Sequence, residues 1–472
     1  MADYDVIVVG GGGAGMSAAI RAGEAGASVL LVDAAGKLGG STALSGGVYY
    51  AAGTSVQRAK GIRDDTADAM YEYYLTLNQH RVQPSLVRVL CDEAAAGLEW
   101  LMSIGVEFDP ADLYASGVES VPRGHKAKHN GAQIAECLEG VLSNMENVDV
   151  ALKTRVQDLA MRDGRVTGIR TGDAEVTADA VVLTTGGFAQ SPEKLHRYYP
   201  EAAAHGDWTW GISAAECVGD GLDLGMMAGA DLTGHNTGLL LTTPGFYKDL
   251  EVFVPGWMVY VNRDGRRFID ETTEYAVMSG VVKEQLGGTC FALFDDTTRA
   301  NAKPHQAYAA AMEAGILTLN WVTDVLDQQI EKGKMLKADT LEELARKAGI
   351  RPGTLVNTVA TYNRDCRAGK DSQFFKEPSV MQPVETPPFY ATEIRCAIVC
   401  LTSTGVRIDT LARVLNAADE RIPGLYAAGE TAGGVLGERY IGGGNSIANA
   451  IVFGQIAGRT AAREALGSNE PR

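Results

Sequence analysis

Three observations predict an α/β protein in which a parallel-sheet domain is interrupted by a second, α+β domain. The chain opens on a strand, a glycine-rich loop, a helix and a second strand, a unit of about 30 residues that ends at Asp33. A glycine-rich α/β texture returns near residue 405 and runs to the C-terminus. From about residue 235 to that point, glycine, proline and aromatic residues break up the apolar runs, and no internal repeat relates the parts. The first and last stretches therefore read as one domain, residues 1–235 with 403–472, around an inserted domain, 236–402.

Bulk properties agree with a large globular protein. At roughly 150 residues per domain, 472 residues allow three domain-sized units or two large ones. Apolar residues at 46% and charged residues at 21% exclude a wholly disordered chain. The 56 glycines exceed ordinary usage and cluster without a collagen-like period, so they mark tight turns and close backbone approaches. A formal charge of −17 argues against a nucleic-acid or anionic-membrane partner. No apolar run reaches the roughly 18 residues of a membrane span. The start, Met1-Ala2-Asp3-Tyr4-Asp5, leads straight into a strand and lacks a basic, cleavable leader, so a cytoplasmic protein is expected. The seven cysteines, an odd number with no Cys-x-x-Cys pair, are expected to be free thiols, and no metal site is expected. Without Cys-x-x-Cys-His, a redox cofactor would be held non-covalently, or through a bond the sequence does not advertise.

The elements follow in order. Residues 6–9 form a buried strand, 16–25 an alanine-rich helix stopped at Gly26, and 29–32 the second strand. Residues 65–105 read as helices, with Leu86, Leu90, Ala94, Leu98 and Leu101 at helical spacing. Residues 148–169 read as short strands turning at Asp163-Gly164, and 180–184 as a buried strand before Gly186-Gly187. In the insert, a charged helix over 338–348 is separated by Arg351-Pro352-Gly353 from another over 354–367, and 382–388 is a proline-rich connector. A strand over 425–428 and a long helix over 447–466 complete the first domain.

The glycine loop carries the first chemistry. Gly10 makes the tight turn, Gly12 lets a pyrophosphate approach the backbone, and Gly15 lets the helix pack on the strand. Gly13 and Ala14 open the helix, whose N-terminus offers unpaired N–H groups to phosphate. Asp33, followed by Ala34, stands where a carboxylate accepts hydrogen bonds from a ribose diol. Lys37, Gly40, Ser41 and Thr42, then Ser45, Gly46 and Gly47, are suited to lie along an extended cofactor. Gly186-Gly187 ends a strand, and Gly429-Glu430 ends another, where a carboxylate meets a polyol chain. The turn Gly442-Gly443-Gly444-Asn445-Ser446-Ile447 opens the last helix, whose N-terminus can stabilise charge on a reduced isoalloxazine. Together these features favour FAD over NAD.

These motifs, with Thr184-Thr185-Gly186-Gly187-Phe188 and Val261-Asn262-x-x-Gly265-x-Arg267-Phe268-x-x-Glu271, resemble the FAD-binding flavoproteins of the fumarate reductase and succinate dehydrogenase superfamily. The resemblance covers nearly the whole chain. It implies a Rossmann-like FAD domain split around a capping, catalytic domain.

The departures from that family concern charge. The family's proton-donating arginine falls at Tyr275, and a second substrate arginine falls at Tyr440 or Ile441, next to Arg439. Two substrate histidines fall near Leu241 and Leu401. Such a pocket should take an apolar substrate with a single carbonyl and reject dicarboxylates. The pattern is similar to the 3-ketosteroid dehydrogenases of the superfamily, which carry tyrosines at these two positions. Residues 47–57 resemble the 4,5-desaturating branch, whereas the Gly442-Gly443-Gly444 turn resembles the 1,2-desaturating branch. Gly442 replaces a serine of the 4,5 branch; of a ring-A double bond at the 4,5- or the 1,2-position, the 4,5-position is the one favoured.

By resemblance, Tyr440 and the Gly444 N–H polarise the substrate ketone and Tyr275 accepts the α-proton, although the two tyrosines could exchange roles. The substrate is then a small apolar ketone, a steroid by resemblance, and the electron acceptor a quinone, dye or carrier protein. Tyr114 is a candidate third pocket tyrosine, and Tyr49 and Tyr50 are candidates for strand or pocket wall. Residues 123–129, with His125 and His129, read as a solvated basic loop, and Trp208, Trp210 and Trp257 as core. Two alternatives remain. One is a flavin reductase of another non-acidic enone or enoate; the other is the FAD subunit of an electron-transfer complex.

Overall fold

The computed structural model describes residues 2–172, 174–248, 255–303 and 320–467. They divide into two compact units. Unit 1 holds Met1–Ala204, Gly211–Leu239 and Val399–Arg472, and unit 2 holds His205–Trp210 and Leu240–Ile398.

Unit 1 is built on a parallel sheet. Its first strand, β1 (Tyr4–Val9), is apolar without alternation from Val6 onward, as a strand covered on both faces requires. It pairs in parallel with β2 (Val29–Val32) on one side and with Ala174–Leu183 on the other. Val148–Ala151 extends the sheet beyond β2. Arg421–Ala427 extends it in parallel beyond Ala174–Leu183, and Arg413–Leu415 closes it antiparallel. The expected short strands become a hairpin, Asp158–Arg162 with Arg165–Thr171. It turns where Asp163 and Gly164 both take positive φ, at 50° and 76°.

The helix between β1 and β2, α1 (Gly13–Glu24), lies against the last helix, Asn445–Ala465. A Cβ on Gly458 would sit 2.1 Å from the Ala18 carbonyl oxygen, and one on Gly454 would sit 2.4 Å from that of Ala14. Glycine here lets two helix backbones touch. That contact brings the start of the last helix toward the glycine loop. Outside the sheet, the helix Pro84–Ser103 buries Leu86, Leu90, Ala94, Leu98 and Leu101, the expected stripe.

Unit 2 contains an antiparallel sheet in which Val259–Val261 pairs with Thr289–Asp295 and the latter with residues 389–395. Helices Leu341–Ala348 and Pro352–Ala368 cover it, with Leu344, Leu355, Val359 and Tyr362 packed on Val259, Phe291 and Phe389. The charged helix starts three residues later than expected, because the Thr340 side chain caps the Glu343 N–H and the preceding residues Leu336–Ala338 pair as a strand.

A buried ion network anchors this unit. The Arg267 guanidinium donates to both oxygens of Glu271, at 3.0 and 2.9 Å, and to both oxygens of Asp371, at 3.1 and 3.0 Å. The Lys376 ammonium donates to Glu271 at 3.0 Å and to the Met258 carbonyl at 2.8 Å. All four side chains are at most 1% exposed. The seven cysteines are free thiols. Among the described residues, no helix is long and apolar enough to cross a membrane.

Candidate active site and cofactor cradle

The glycine loop and its acid come together as expected. The Gly11 N–H donates to Asp33 Oδ2 at 2.5 Å and the Ala35 N–H to Oδ1 at 2.7 Å, so the acid also ties the loop to the end of β2. Gly10 has φ 108°, and a Cβ there would meet the Thr184 carbonyl oxygen at 2.4 Å. A Cβ on Gly15 would meet the Gly10 carbonyl oxygen at 1.7 Å. By contrast, a Cβ on Gly12 would meet nothing within 4 Å. The N-cap of α1 is Gly12, which has no side chain of its own to cap the helix.

Gly40, Ser41 and Thr42 lie beside this loop. The Gly39 N–H bonds the Gly11 carbonyl at 2.9 Å, and Thr42 Oγ1 accepts the Gly13 N–H at 3.2 Å. Ser41 Oγ accepts the Ala214 N–H, Ser45 Oγ donates to the Thr42 carbonyl, and the Gly47 N–H donates to Ser45 Oγ. A Cβ on Gly46 would meet nothing within 4 Å. Ala34 is half-buried and Lys37 exposed on the segment after Asp33. A helix start whose N-cap is a glycine, a nearby carboxylate and open space over Gly12 fit a bound dinucleotide pyrophosphate and ribose.

Gly186-Gly187 and Gly429-Glu430 also meet. A Cβ on Gly187 would lie 2.1 Å from both Glu430 Oε1 and Thr402 Oγ1. Thr402 is the residue that sequence reading missed here. Burial pushes the Glu430 carboxyl up, and its two hydrogen bonds from Thr402 offset part of that rise.

At the start of the last helix, Gly444 is the N-cap with φ 103°, and a Cβ there would crowd the Tyr50 nitrogen at 2.9 Å. Tyr440 Oη accepts the Ser446 N–H at 3.2 Å and its Oγ–H at 3.1 Å, which fixes the ring over the helix start. The Asn445 side chain is spent on structure. It accepts from the Tyr74 hydroxyl and donates to the Gly442 carbonyl at 2.8 Å, and Ile447 is buried. Tyr275 opens the helix Tyr275–Lys283 in unit 2, half-buried, with Glu274 capping the Ala276 N–H at 2.8 Å. Leu241 and Leu401 are buried, at 4% and 5% exposure.

Several other expectations change. Tyr49 lies on the strand Val48–Tyr50, the first of its two expected places, and is fully buried, with its hydroxyl against Gly97, where a Cβ would meet it at 2.2 Å. Tyr114 is 41% exposed and pairs through its backbone with Gly124. The basic run is not a solvated loop. Gly124–Lys126 is a strand, and alternation turns Arg123, His125 and Ala127 inward while Lys126 and Lys128 face out. Arg123 bonds Asp65 at 2.6 Å, both side chains being nearly fully buried. His125 sits between Thr54 Oγ1 at 2.8 Å and the Arg123 carbonyl at 2.8 Å, and burial lowers its imidazole to about 4. His129 is exposed. Trp257 is core, but Trp208 and Trp210 line a cavity of about 640 Å³ in unit 2, with Phe246 and Arg263.

Comparison with known proteins gives this geometry its class. Residues 5–447 match the family described as FAD binding domain. The chain is 34% identical to a fumarate reductase (cytochrome) of Shewanella frigidimarina, over 97% of this chain and 77% of that protein. It is 30% identical to a urocanate reductase of Eggerthella lenta, over 98% and 75% of the two chains. It is 26% identical to a 3-oxosteroid 1-dehydrogenase of Mycolicibacterium smegmatis, over 99% of each. Among solved structures, an open flavocytochrome c3 fumarate reductase aligns with a TM-score of 0.71 at 31% identity, over 98% of this chain and 78% of that one. The 3-ketosteroid-delta4-(5alpha)-dehydrogenase of Rhodococcus jostii RHA1 aligns with a TM-score of 0.77 at 25% identity, over 97% and 96%.

The chain belongs to the FAD-binding domain family, within the fumarate reductase and succinate dehydrogenase flavoproteins. It is an FAD-dependent oxidoreductase of the fumarate reductase type.

Proposed function

We propose that this protein reduces a carbon–carbon double bond conjugated to one carbonyl, on an enone or enoate that is not a dicarboxylate. The observation that carries the reading is Tyr275. It opens a helix at the position where the family's proton-donating arginine falls, and the histidine positions are the buried Leu241 and Leu401. A dicarboxylate needs cations to offset its desolvation, and none of these four positions, Tyr440 included, supplies one. Relatives that act on fumarate and on urocanate support a reductase, with substrate choice left to the pocket.

In this reading Tyr440 and the Gly444 N–H hydrogen-bond the substrate carbonyl, drawing electron density from the β-carbon. Both are preset: the tyrosine by its two bonds from Ser446, the amide by the left-handed N-cap. Tyr275 gives a proton to the α-carbon, and run backward it accepts that proton. The residues above would hold FAD without a covalent bond, and the cofactor would supply the hydride chemistry. Conversion of Tyr275 or Tyr440 to Phe keeps the ring and removes the hydroxyl. Each change should slow single-turnover oxidation of the reduced flavin by the substrate about 100-fold or more at unchanged FAD content. Wild-type rates in both variants would overturn the reading.

A second reading is a 3-ketosteroid dehydrogenase, run in the oxidative direction with an external electron acceptor. The end-to-end alignment with steroid dehydrogenases supports it. It leans away from the 4,5 branch, because a Cβ on Gly442 would sit 2.8 Å from the Ser116 carbonyl oxygen and 3.0 Å from the Gly117 nitrogen. A serine there would collide with backbone. Mixing oxidised enzyme anaerobically with a saturated 3-ketosteroid tests it: flavin bleaching supports the second reading, and no bleaching excludes it.

A further inference from the structure

The turn from Tyr440 to Gly444 is not held by the last helix alone. Residues 116–119 run against it, with Gly117 bridging Gly442 in an antiparallel pair. The Gly443 N–H donates to the Ser116 carbonyl at 2.7 Å, and Ser116 Oγ donates back to the Gly443 carbonyl at 2.8 Å. Ser116 is itself 1% exposed. Tyr73, on the helix Ala67–Leu77, closes the arrangement. Its hydroxyl reaches Glu119 Oε2 at 2.9 Å and the Ile441 carbonyl at 3.2 Å, and accepts the Val118 N–H at 3.0 Å. The other Glu119 oxygen accepts the Ser116 N–H at 3.0 Å.

The approach is too close for side chains at the crossing. A Cβ on Gly117 would meet the Ile441 carbonyl oxygen at 2.3 Å, Glu119 Oε2 at 2.4 Å and Tyr73 Oη at 2.7 Å. Burial, then the neighbouring Glu119 charge, raises the Tyr73 phenol well above its ordinary value, so it stays protonated and able to donate. The Ile441 carbonyl, Gly442 and Gly443 lie between the two groups assigned to the substrate carbonyl, so whatever fixes them fixes the spacing of the Tyr440 hydroxyl and the Gly444 N–H.

We propose that Tyr73, Ser116 and Glu119 are positioning residues that hold the Tyr440–Gly444 turn at the geometry needed to polarise the substrate carbonyl. This rests on the role given above to Tyr440 and Gly444. None of the three touches the reacting atoms; they act through the turn, much as a supporting shell sets the angle of a catalytic group. Displacement of a catalytic group by about 1 Å is enough to cost on the order of 100-fold in rate. Loss of one anchor of several should cost less than that.

The test uses the FAD-loaded full chain, with dimethyl fumarate as oxidant of the reduced flavin. Tyr73→Phe and Glu119→Ala should each lower kcat about 10-fold, leaving KM within about twofold and flavin content and melting midpoint unchanged. Glu119→Gln keeps one acceptor oxygen and should recover to within about threefold of wild type. Ser116→Ala removes a single bond, and its kcat should fall between those of Glu119→Gln and Glu119→Ala. If Tyr73→Phe proves too unstable to assay, the Glu119 and Ser116 series decides alone. Tyr440→Phe is measured alongside. If it turns over like wild type, the functional reading fails. If it is slow while the Tyr73, Ser116 and Glu119 variants keep the wild-type rate per bound flavin, the positioning role is overturned. Melting and flavin loss with normal kcat in the flavin-bound fraction would likewise overturn it, since that is what a purely structural contact gives.

Discussion

Thr402 and Glu430 form a two-point pair. The Thr402 N–H donates to Glu430 Oε1 at 2.8 Å and its hydroxyl donates to the same oxygen at 2.7 Å, while Thr402 Oγ1 accepts the Phe188 N–H at 3.2 Å. One hydroxyl thus links three strand ends that the sequence holds far apart. Gly187 sits against the pair, where any side chain would collide with it.

The pair is proposed as a wall of the cofactor cradle, so Thr402→Val should release FAD more readily than wild type. Loss of one hydrogen bond to a buried acceptor costs about 1–3 kcal/mol, or roughly 5- to 150-fold in retention. Thr402→Ser keeps the hydroxyl and should retain FAD as wild type does. Ultrafiltration of the holoprotein, with flavin measured in the filtrate, checks this. Equal retention by the Val variant would remove the pair from the cradle.

The Arg267–Glu271–Asp371–Lys376 network should dominate the stability of unit 2. Glu271→Gln removes the charge that serves both cations and leaves a buried imbalance, which costs about 3–5 kcal/mol. The melting midpoint should fall by roughly 10 °C or more for a unit of this size. Arg351→Ala, at an exposed pair 3.3 Å from Asp264, should change it by less than about 2 °C. Calorimetry of the two variants side by side measures the contrast.

His125 gives the protein an acid-sensitive joint. Its imidazole is held near 4 rather than 6.5, mainly by burial. A depressed value means the unfolded chain takes up the proton first, so the contribution is full above about 6.5 and is lost as pH falls toward 4. The difference is worth roughly 3 kcal/mol at most. Urea midpoints of wild type should drop between pH 6.5 and 4 more steeply than those of His125→Gln. Parallel slopes would contradict the assignment.

The sequence made some of this legible and hid the rest for identifiable reasons. The glycine loop could be read because its chemistry is local: Gly10, Gly12 and Gly15 act through their own backbone, and Asp33 follows at the end of the next strand. The turn at Gly442–Gly444 could be read for the same reason. Thr402 could not, since its partner Glu430 belongs to another segment and a lone threonine carries no pattern. The Ser116–Gly443 pair joins residues more distant still. The run from Arg123 to Lys128 was misleading because charge suggested solvent. The signal against that reading was present as a period of two, which marks a strand with Arg123 and His125 on its inner face.

The selectivity of the pocket is measured with fumarate against its dimethyl ester as oxidants of the dye-reduced, FAD-loaded protein under anaerobic single-turnover conditions. Free reduced FAD serves as the reference for intrinsic reactivity. The two substrates share a carbon skeleton and differ in charge, which is what Tyr275, Tyr440, Leu241 and Leu401 are held to select. Relative to free flavin, the protein should favour the ester over the dianion by about 100-fold or more, the scale of leaving two carboxylates without a paired cation. Fumarate reoxidising the protein-bound flavin as fast as the ester, on that scale, would contradict the proposal and return the chain to dicarboxylate reduction.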